Sequence, residues 1–478
     1  MTDHTESCRH EISVGDDMSF DADIDAYLAA HGRPHRVDLL LPDMHGRMRG
    51  KSMPGAGLEK LAAGDVRLCW GTQALNIWGV DVEGTGVGAE IGDPDGIILP
   101  VAGTLVPVPH AGASRAEDGA AAAQVLVTMA MPDGSPCFLD PRARFVAVLE
   151  RYTEKNWTPV TALEVEFYLV ATPSEADGWK ARPATIPGGM RTADDPQVYD
   201  MDLANGFRPL ISAIEADCAQ IGLPIDGMIA EYGPGQFEIN LKHCDDAARS
   251  ADHAVLFRYT VREAARRHGL HATFMAKPYG DQVGSGCHVH ASIVDDAGEN
   301  IFSAAGSEAS ARLQHAIGGC LATAPALTAI FAPHLNSYRR YVPGAFAPAQ
   351  CNWAHDHRDA AIRVPETTGP GARLEHRLAG ADVNPYLLSA AVLGGMLHGI
   401  ENEINPGPRV ADHAREIAGE RLTCDWSTAI EQFAASDIAG TLFGEEYRNV
   451  YAAGRRSELA AALAHVTDFE YATYLPRI

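Results

Sequence analysis

The stretch Ala162-Leu-Glu-Val-Glu-Phe-Tyr-Leu-Val170 sets two acids, Glu164 and Glu166, inside an otherwise apolar run. A β-strand repeats every two residues, so both carboxylates share one face. A solvated outer face would accommodate such a pair. Uncompensated like charges repel, however, and their position between apolar flanks hints at a cation.

The pattern recurs elsewhere in the chain. His288-Val289-His290 puts two imidazoles on one face just after the Gly284-Ser285-Gly286 turn. Glu231 and Glu238 flank Tyr-Gly-Pro-Gly-Gln-Phe, a glycine-rich turn able to bring two carboxylates to one point, and Glu375 lies in Arg373-Leu-Glu-His-Arg377 on another apparent strand. Singly, these read as core histidines and surface acids. Together, Glu164, Glu166, Glu231, Glu238, Glu375 and His288 cannot converge without a compensating charge. Mostly oxygen ligands, few nitrogens and no thiolate favour Mg2+ or Mn2+ over zinc. The ligand number supports two ions, which suits phosphoryl transfer.

A second constellation is basic. Arg339 and Arg340 follow Asn336-Ser-Tyr, Arg358 follows His357, Arg363 follows Ile362, and Arg373 and Arg377 bracket Glu375. An isolated arginine usually ends in a surface salt bridge. This density in an acidic protein suggests an anion site, because guanidinium forks bind phosphate and carboxylate with two prongs. Gly46-Arg-Met-Arg-Gly50-Lys51-Ser52 is one residue short of a phosphate-binding loop and sits in a hairpin-like context, so that reading is rejected. Dinucleotide, hydrolase and protein-kinase signatures are also absent from the sequence.

Around these motifs, the 478 residues, 46% of them hydrophobic, allow a large core and two or three domains. Residues 1–22 are acidic and aperiodic and read as a loose tail. A short helix is expected around Ile24–Ala30, then β-prone segments at Val37–Leu41, Ile97–Val108 and Gln124–Met131, with an Ala/Gly-rich loop from His110 to Ala123. This gives a small, mostly β domain over 23–137. Asp140-Pro141-Arg142 opens a helix and with it a second, α/β domain over 138–478. Its expected elements are a strand at Gln236–Leu241, helices at Phe207–Ile221, Ala247–His268, Pro385–Glu403 and Glu445–Ala464, and a long surface loop at Thr172–Gln197.

A formal net charge of -25 argues against nucleic acid or anionic lipid as a partner. Nine scattered cysteines without a CxxC pair fit a reducing compartment. The longest apolar stretch, Leu387–Ile400, is too short to span a bilayer. The N-terminus carries no apolar signal region, so a soluble cytoplasmic protein is expected.

In their order along the chain these motifs resemble the glutamine synthetase superfamily from Val37 to the C-terminus. The resemblance rests on the Glu164/Glu166 strand, the Glu231…Gln236-Phe-Glu238 loop and Lys277-Pro278 ahead of Gly284-Ser-Gly-Cys-His288-Val-His290. It extends through Asn336-Ser-Tyr-Arg-Arg-Tyr-Val-Pro-Gly344 and Arg373-Leu-Glu-His-Arg377 to Asn384-Pro-Tyr386. It implies an α+β protein with an N-terminal β-grasp domain and a C-terminal catalytic α/β domain. It also implies that the first domain completes a neighbouring subunit's active site, usually within a dodecamer of two hexameric rings.

The substrates implied are ATP, glutamate and an amine, with Mg2+ or Mn2+. Glu166, Glu231 and Glu238 would hold one ion, and Glu164, His288 and Glu375 the other. Arg340 and Arg377 would bind the glutamate carboxylates, with Gly284 offering backbone contacts. Arg358, Arg363 and Arg373 would meet ATP phosphates, with His290 and Ser292 along the nucleotide. Arg340, Arg358 and Arg377 would then be the catalytic arginines.

Departures from the family pattern bear on the amine. The segment carrying the ammonium-handling aspartate reads Leu68-Cys-Trp70-Gly-Thr72, and the flap that carries a glutamate reads Pro343-Gly-Ala-Phe346-Ala-Pro348. Without these acids a small cation loses its attraction and its base. Trp70 and Phe346 could instead line an apolar pocket for an organic group. Val283 replaces the usual Asn before Gly284, and the Pro406–Gly419 stretch lacks the tyrosine that is adenylylated in some bacterial enzymes.

Pro42-Asp-Met44…Arg49-Gly-Lys51, Ala74-Leu-Asn-Ile77 and Gly92-Asp93 make the chain most similar to the γ-glutamylputrescine (γ-glutamylpolyamine) synthetases within the superfamily. Ethanolamine, small alkylamines and aryl amines remain alternative substrates. A true glutamine synthetase and a catalytically silent relative remain alternative readings.

Overall fold

The computed structural model describes residues 19–109, 120–187, 189, 192–194, 198–306, 308–342, 347–411 and 419–478. It opens with helix α1 (Phe20–His31), where the Ser19 hydroxyl accepts from Ala22 N at 3.3 Å. The helix therefore begins inside the expected tail, and residues 1–18 lie outside the described residues.

Next come β1 (Arg36–Pro42), β2 (Met48–Pro54), α2 (Leu58–Ala62), β3 (Arg67–Cys69), β4 (Asp95–Pro100), β5 (Val106–Pro107) and β6 (Ala122–Ala130). They build a six-stranded sheet ordered β2-β1-β6-β4-β3, with β5 on β6. β1 runs parallel to β6 and antiparallel to β2, so Gly46–Ser52 does form a hairpin. The single segment expected over Ile97–Val108 is two strands, because Gly103 at φ +74 turns the chain between them. Thr104 fixes that turn, donating to Val101 O at 2.6 Å and accepting from Leu126 N at 3.1 Å. Most of the loop expected from His110 lies outside the described residues.

Asp140 caps a helix where one was expected to open. It accepts from Arg142 N at 2.8 Å, and Pro141 takes the first turn of α3 (Pro141–Thr153). There follow β7 (Thr158–Ala171), α4 (Met201–Gly206), α5 (Arg208–Gln220), β8 (Ile225–Ala230), β9 (Gln236–Leu241), α6 (Ala247–Arg267), β10 (Leu270–Thr273) and β11 (Cys287–Val294). The chain continues through α7 (Ala311–Phe331), β12 (Gln350–Cys351), β13 (Trp353–His355), β14 (Ile362–Glu366), β15 (Arg373–His376) and α8 (Pro385–Glu401). It closes with β16 (Glu420–Arg421), α9 (Trp426–Ala434), α10 (Asp437–Phe443), α11 (Glu445–Ala464) and α12 (Asp468–Tyr474). Eight strands form one sheet ordered β13-β14-β15-β11-β7-β9-β8, with β10 also on β7.

The two faces of this sheet differ sharply. Leu163, Val165 and Phe167 alternate with the two glutamates of β7 and are fully buried, as are Phe237, Ile239, Cys287, Val289 and Leu374. Phe167 meets Phe257 of α6 at 6.3 Å between centroids, and Phe237 meets Phe207 at the start of α5 at 5.5 Å. The apolar face is thus sealed by helices, and the acidic face is left for chemistry.

Helices α7 and α8 pack through glycines. A Cβ on Gly319 would lie 2.5 Å from Gly399 N, so neither residue can grow without separating the helices. Leu387–Ile400 is accordingly core helix. Among the described residues no helix is long and apolar enough to cross a membrane.

The hairpin turn between β1 and β2 locks the two units together. Asp43 is buried and accepts from His45 N at 2.9 Å, Arg47 N at 3.0 Å and Arg49 Nε at 2.8 Å, while its carbonyl accepts from Asn384 at 2.9 Å. His45 stacks on His334 with 5.8 Å between centroids and lies 3.0 Å from Arg455 Nη2. Arg455 pairs with Glu458 at 3.0 Å, and Glu458 also accepts from Ile77 N at 2.7 Å. His45, His334 and Glu458 could otherwise suit a metal. The Arg455 guanidinium at the His45 ring excludes a cation there, and burial together with that charge keeps His45 neutral.

Removing one partner of this buried pair leaves the other charge uncompensated. Glu458→Ala should therefore cost about 3–5 kcal/mol of stability in urea unfolding. A variant within about 1 kcal/mol of the parent would show that the pair does not hold the units together.

Candidate active site

Strand register assembles the acidic face. Glu166 lies across from Glu238, Glu164 lies between Asn240 and His288, and Glu375 lies between His290 and Arg363. Side chains on aligned strands at that spacing must meet. His290 Nε2 is 2.9 Å and His288 Nδ1 3.4 Å from the Glu164 carboxylate, and His288 is 3.7 Å from Glu375. Glu231 follows β8, where its amide donates to Gln236 O at 2.9 Å and closes the turn that faces it toward Glu238. Gly233 is required in that turn, because any Cβ there would collide with the Tyr168 ring.

Three groups that sequence reading missed hold this arrangement. Gln236 Nε2 donates to Glu166 at 3.1 Å and to Gly284 O at 3.0 Å, and Gly286 N donates to Glu166 at 2.9 Å. Asn240 Nδ2 donates to Glu164 at 3.0 Å. Their period-two spacing from Glu238 on β9 was the available signal for Gln236 and Asn240. Tyr168 donates to Val283 O at 2.7 Å and thereby anchors the Gly284-Ser-Gly turn.

The arginines stand around the same face. Arg340 is buried and donates to Leu378 O at 2.8 Å. Arg377 donates to Arg358 O at 2.8 Å and contacts Glu375, whose other oxygen accepts from Arg363 at 2.6 Å. Arg363 also pairs with Asp356, and Arg373 Nε lies 3.2 Å from His290 Nδ1. A cavity of about 630 Å³ opens here, lined among others by Glu164, Glu166, Glu231, Glu238, His288, Gly284, Arg340, Arg358 and Arg377. His290, Ser292, Arg363, Arg373 and Glu375 lie on or beside the same sheet face, on β11, β14 and β15, outside the cavity lining.

Of the two residues expected to wall the amine pocket, Trp70 is not among those lining this chain's own cavity. Trp70 is 6% exposed and packs edge-on against Phe138 at 5.5 Å. A 3₁₀ turn over Trp70–Ala74 points its indole into the N-terminal core, so in this chain it is a packing residue. Phe346 lies outside the described residues.

Crowded acids share protons. Burial, then repulsion from Glu166, Glu164 and Glu231, pushes Glu238 up to about 9, and burial with Glu231 raises Glu166 to about 7. Burial also raises Glu231. For Glu164 burial acts upward, but hydrogen bonds from His288 and His290 outweigh it and hold the carboxyl low. Burial likewise opposes ionisation of Glu375, yet Arg377 lowers it to about 2. Burial and Arg377 bring His288 down to about 4, leaving a neutral imidazole with lone pairs to offer.

On this face two groups of side chains, Glu164–His290–Glu375 and Glu164–Glu238–His288, bring ligand atoms within 4.8 Å of one another, close enough to share an ion. Asn240 Oδ1 is buried without a donor beside them. The donor set of hard oxygens with one or two imidazoles fits Mg2+ or Mn2+.

Acids suited to cations beside guanidiniums suited to phosphate and carboxylate fit a metal-dependent phosphoryl-transfer enzyme. Comparison with known proteins agrees. The glutamine synthetase catalytic-domain family matches residues 138–474. The chain is 37% identical to γ-glutamylputrescine synthetase PuuA of Escherichia coli over 95% of its own length and 94% of that protein. It is 31% identical to a glutamate–isopropylamine ligase of a Pseudomonas species, over 92% and 95% of the two chains. A solved complex of GmaS with ADP superposes with a TM-score of 0.80 at 26% identity, covering 94% of this chain and 99% of that one. This chain belongs to the glutamine synthetase family.

Glu166 and Glu238 retain protons in the folded protein where unfolded carboxylates have lost them. Their contribution to stability is present at low pH and is lost as pH rises through about 7 and about 9. The metal-free protein should therefore melt at lower temperature as pH rises from about 6 to 9, and saturating Mn2+ should flatten the slope. Titration calorimetry at pH 7 in buffers of differing ionisation enthalpy should register about one proton released per site. Metal binding without proton release would contradict these raised carboxyls.

Proposed function

We propose that the protein joins the γ-carboxylate of glutamate to an organic amine at the cost of ATP, with putrescine or a related polyamine as the foremost amine. The observation that carries this reading is the acid-floored, arginine-walled cavity in a chain whose ammonium-handling acids are replaced. Leu68–Thr72 holds no carboxylate, and none occurs in the sequence Pro343–Pro348. The relatives named for putrescine and isopropylamine support the same substrate class.

In this reading Glu166, Glu231 and Glu238 hold one divalent cation, and Glu164, His288 and Glu375 the second. His288 lies 3.4 Å from Glu164 and 3.7 Å from Glu375, and its neutral imidazole has a lone pair to offer, which supports grouping those three. When bound, the cations supply the positive charge that steadies the transferring phosphoryl oxygens.

Arg340 and Arg377 orient glutamate by its carboxylates, with Gly284 contributing backbone. Arg358, Arg363 and Arg373 receive the phosphates of ATP, and His290 and Ser292 lie along the nucleotide. A γ-carboxylate oxygen attacks the γ-phosphorus of ATP, the bond to the β-phosphate oxygen breaks and ADP leaves, giving γ-glutamyl phosphate. The neutral amine nitrogen then attacks the carbonyl carbon, the C–N bond forms, the nitrogen gives up a proton to water, and inorganic phosphate leaves with the bonding pair of its C–O bond. Arg340 and Arg377 remain fixed throughout by their hydrogen bonds to the Leu378 and Arg358 carbonyls, so the carboxylate does not have to search for its partners.

Glu375 is already neutralised by Arg363 and Arg377. A cation placed there and a substrate phosphate taking Arg363 would be mutually supportive exchanges, which fits a site assembled by its ligands. The domains are best drawn as 23–137, a β-grasp unit, and 138–478, the catalytic unit, following a tail over 1–22. A cytoplasmic dodecamer of two hexameric rings, with the first unit closing a neighbour's cavity, fits the family.

An amine panel tests the substrate. Phosphate release with glutamate, Mg2+ and ATP should be fastest with putrescine or another organic amine and slow with ammonium. Ammonium equal to the best amine would overturn the organic-amine reading. Glu166→Ala should lower turnover by at least about 10²-fold while the protein stays folded, as measured by circular dichroism. Full activity in that variant would remove Glu166 from the ion site.

A further inference from the structure

The cavity has a side that the metal and arginine assignments leave unused. Tyr199 and Tyr232 line it and are unusually open for aromatic residues, 61% and 46% exposed. The two are structurally linked, since Tyr199 N donates to Ala230 O at 2.9 Å and Tyr232 lies two residues beyond Ala230, next to Glu231. Tyr199 also sits at φ +59, in the left-handed region that a bulky side chain enters at a cost of about 1–2 kcal/mol. A strained aromatic residue held on an active-site wall calls for a ligand-facing explanation.

The acids of the cavity supply the second observation. Glu164, Glu166, Glu231 and Glu238 belong to the ion floor, and Asp356 is bound to Arg363 at 2.5 and 3.0 Å. Asp359 lines the same cavity, is exposed, and among the described residues its carboxylate has no hydrogen-bond or ion-pair partner. It is a negative charge to which neither the ion floor nor the arginines assign a counter-charge.

We propose that Tyr199, Tyr232 and Asp359 receive the far end of the amine substrate and that this end is itself a cation, so that the enzyme selects a diamine over a monoamine of equal length. The inference deepens the glutamate–amine ligase reading and rests on it.

The chemistry is asymmetric. The nitrogen that attacks the acyl phosphate must be neutral, whereas the distal nitrogen keeps its proton, since an alkylammonium titrates near 10, as lysine does. That ammonium leaves water on entering the cavity, and it needs a carboxylate or aromatic faces in exchange. The tyrosine rings also cover the methylenes between the two nitrogens. A neutral alkyl tail would gain the ring contact but nothing from Asp359.

The discriminating measurement compares KM for putrescine and for n-butylamine, by phosphate release at saturating ATP and glutamate. In the parent protein putrescine should have the lower KM. Asp359→Asn should raise the putrescine-to-butylamine KM ratio at least fivefold with a smaller change in kcat, and Tyr232→Ala should raise KM for both amines, partly rescued by Tyr232→Phe. A ratio left unchanged by Asp359→Asn would overturn the assignment while leaving the ligase reading intact, because both amines would still be consumed. If the parent protein released phosphate no faster with either amine than with ammonium, the ligase reading would fall, and this inference with it.

Discussion

The structure depends on holding like charges together. Four carboxylates of the cavity and Glu375 beside it project from or next to one sheet face, and protein groups compensate only some of them. Glu164 has two imidazoles and Glu375 two guanidiniums, whereas Glu166 and Glu238 answer their crowding by retaining protons. Such a face persists only if something else fixes it. That support is the opposite face, where Leu163, Val165, Phe167, Phe237 and Val289 are fully buried under helices. A one-residue slip of β7 would bury both glutamates and expose that core, so register and burial enforce each other.

This also explains how much of the protein was legible in its sequence. A period of two is easily read, and the Glu164/Glu166 and His288/His290 pairs led directly to one face of one sheet. The fold class followed from alternating strands and helices, as did the cap at Asp140. The residues that were not legible act through partners distant in sequence. Gln236 and Asn240 look like ordinary polar residues until β9 is paired with β7. Helix α7 went unread because its Ala-Ile-Gly-Gly-Cys-Leu-Ala-Thr-Ala run is apolar on every side and leaves no amphipathic stripe. The packing of Trp70 was not legible either, because the direction of its side chain is set by a 3₁₀ turn that composition does not reveal.

The junction between the units differs in kind from the ion floor. At the floor, charge is left incompletely matched and ready for ligands. At the junction, Asp43 is paired with Arg49 and Glu458 with Arg455 in a largely buried interface that also holds His45, and Asn384 links the hairpin turn to the first turn of α8. Both arrangements use buried charge, and they can be told apart by whether the protein supplies the counter-charge. The floor leaves part of its charge unmatched, and it opens into a cavity.

The same criterion separates catalysis from selectivity within the cavity. The arginines proposed to meet glutamate, Arg340 and Arg377, are pinned by backbone carbonyls, and the proposed ion ligand Glu166 by Gln236 and Gly286 N. Pinning suits partners whose charge and shape never vary. Tyr199, Tyr232 and Asp359 are exposed instead, on the connections after β7, β8 and β13. A family whose relatives are named for different amines requires this division. Changing a loop side chain alters which amine is received, whereas altering a strand residue would disturb the register on which every ion ligand depends.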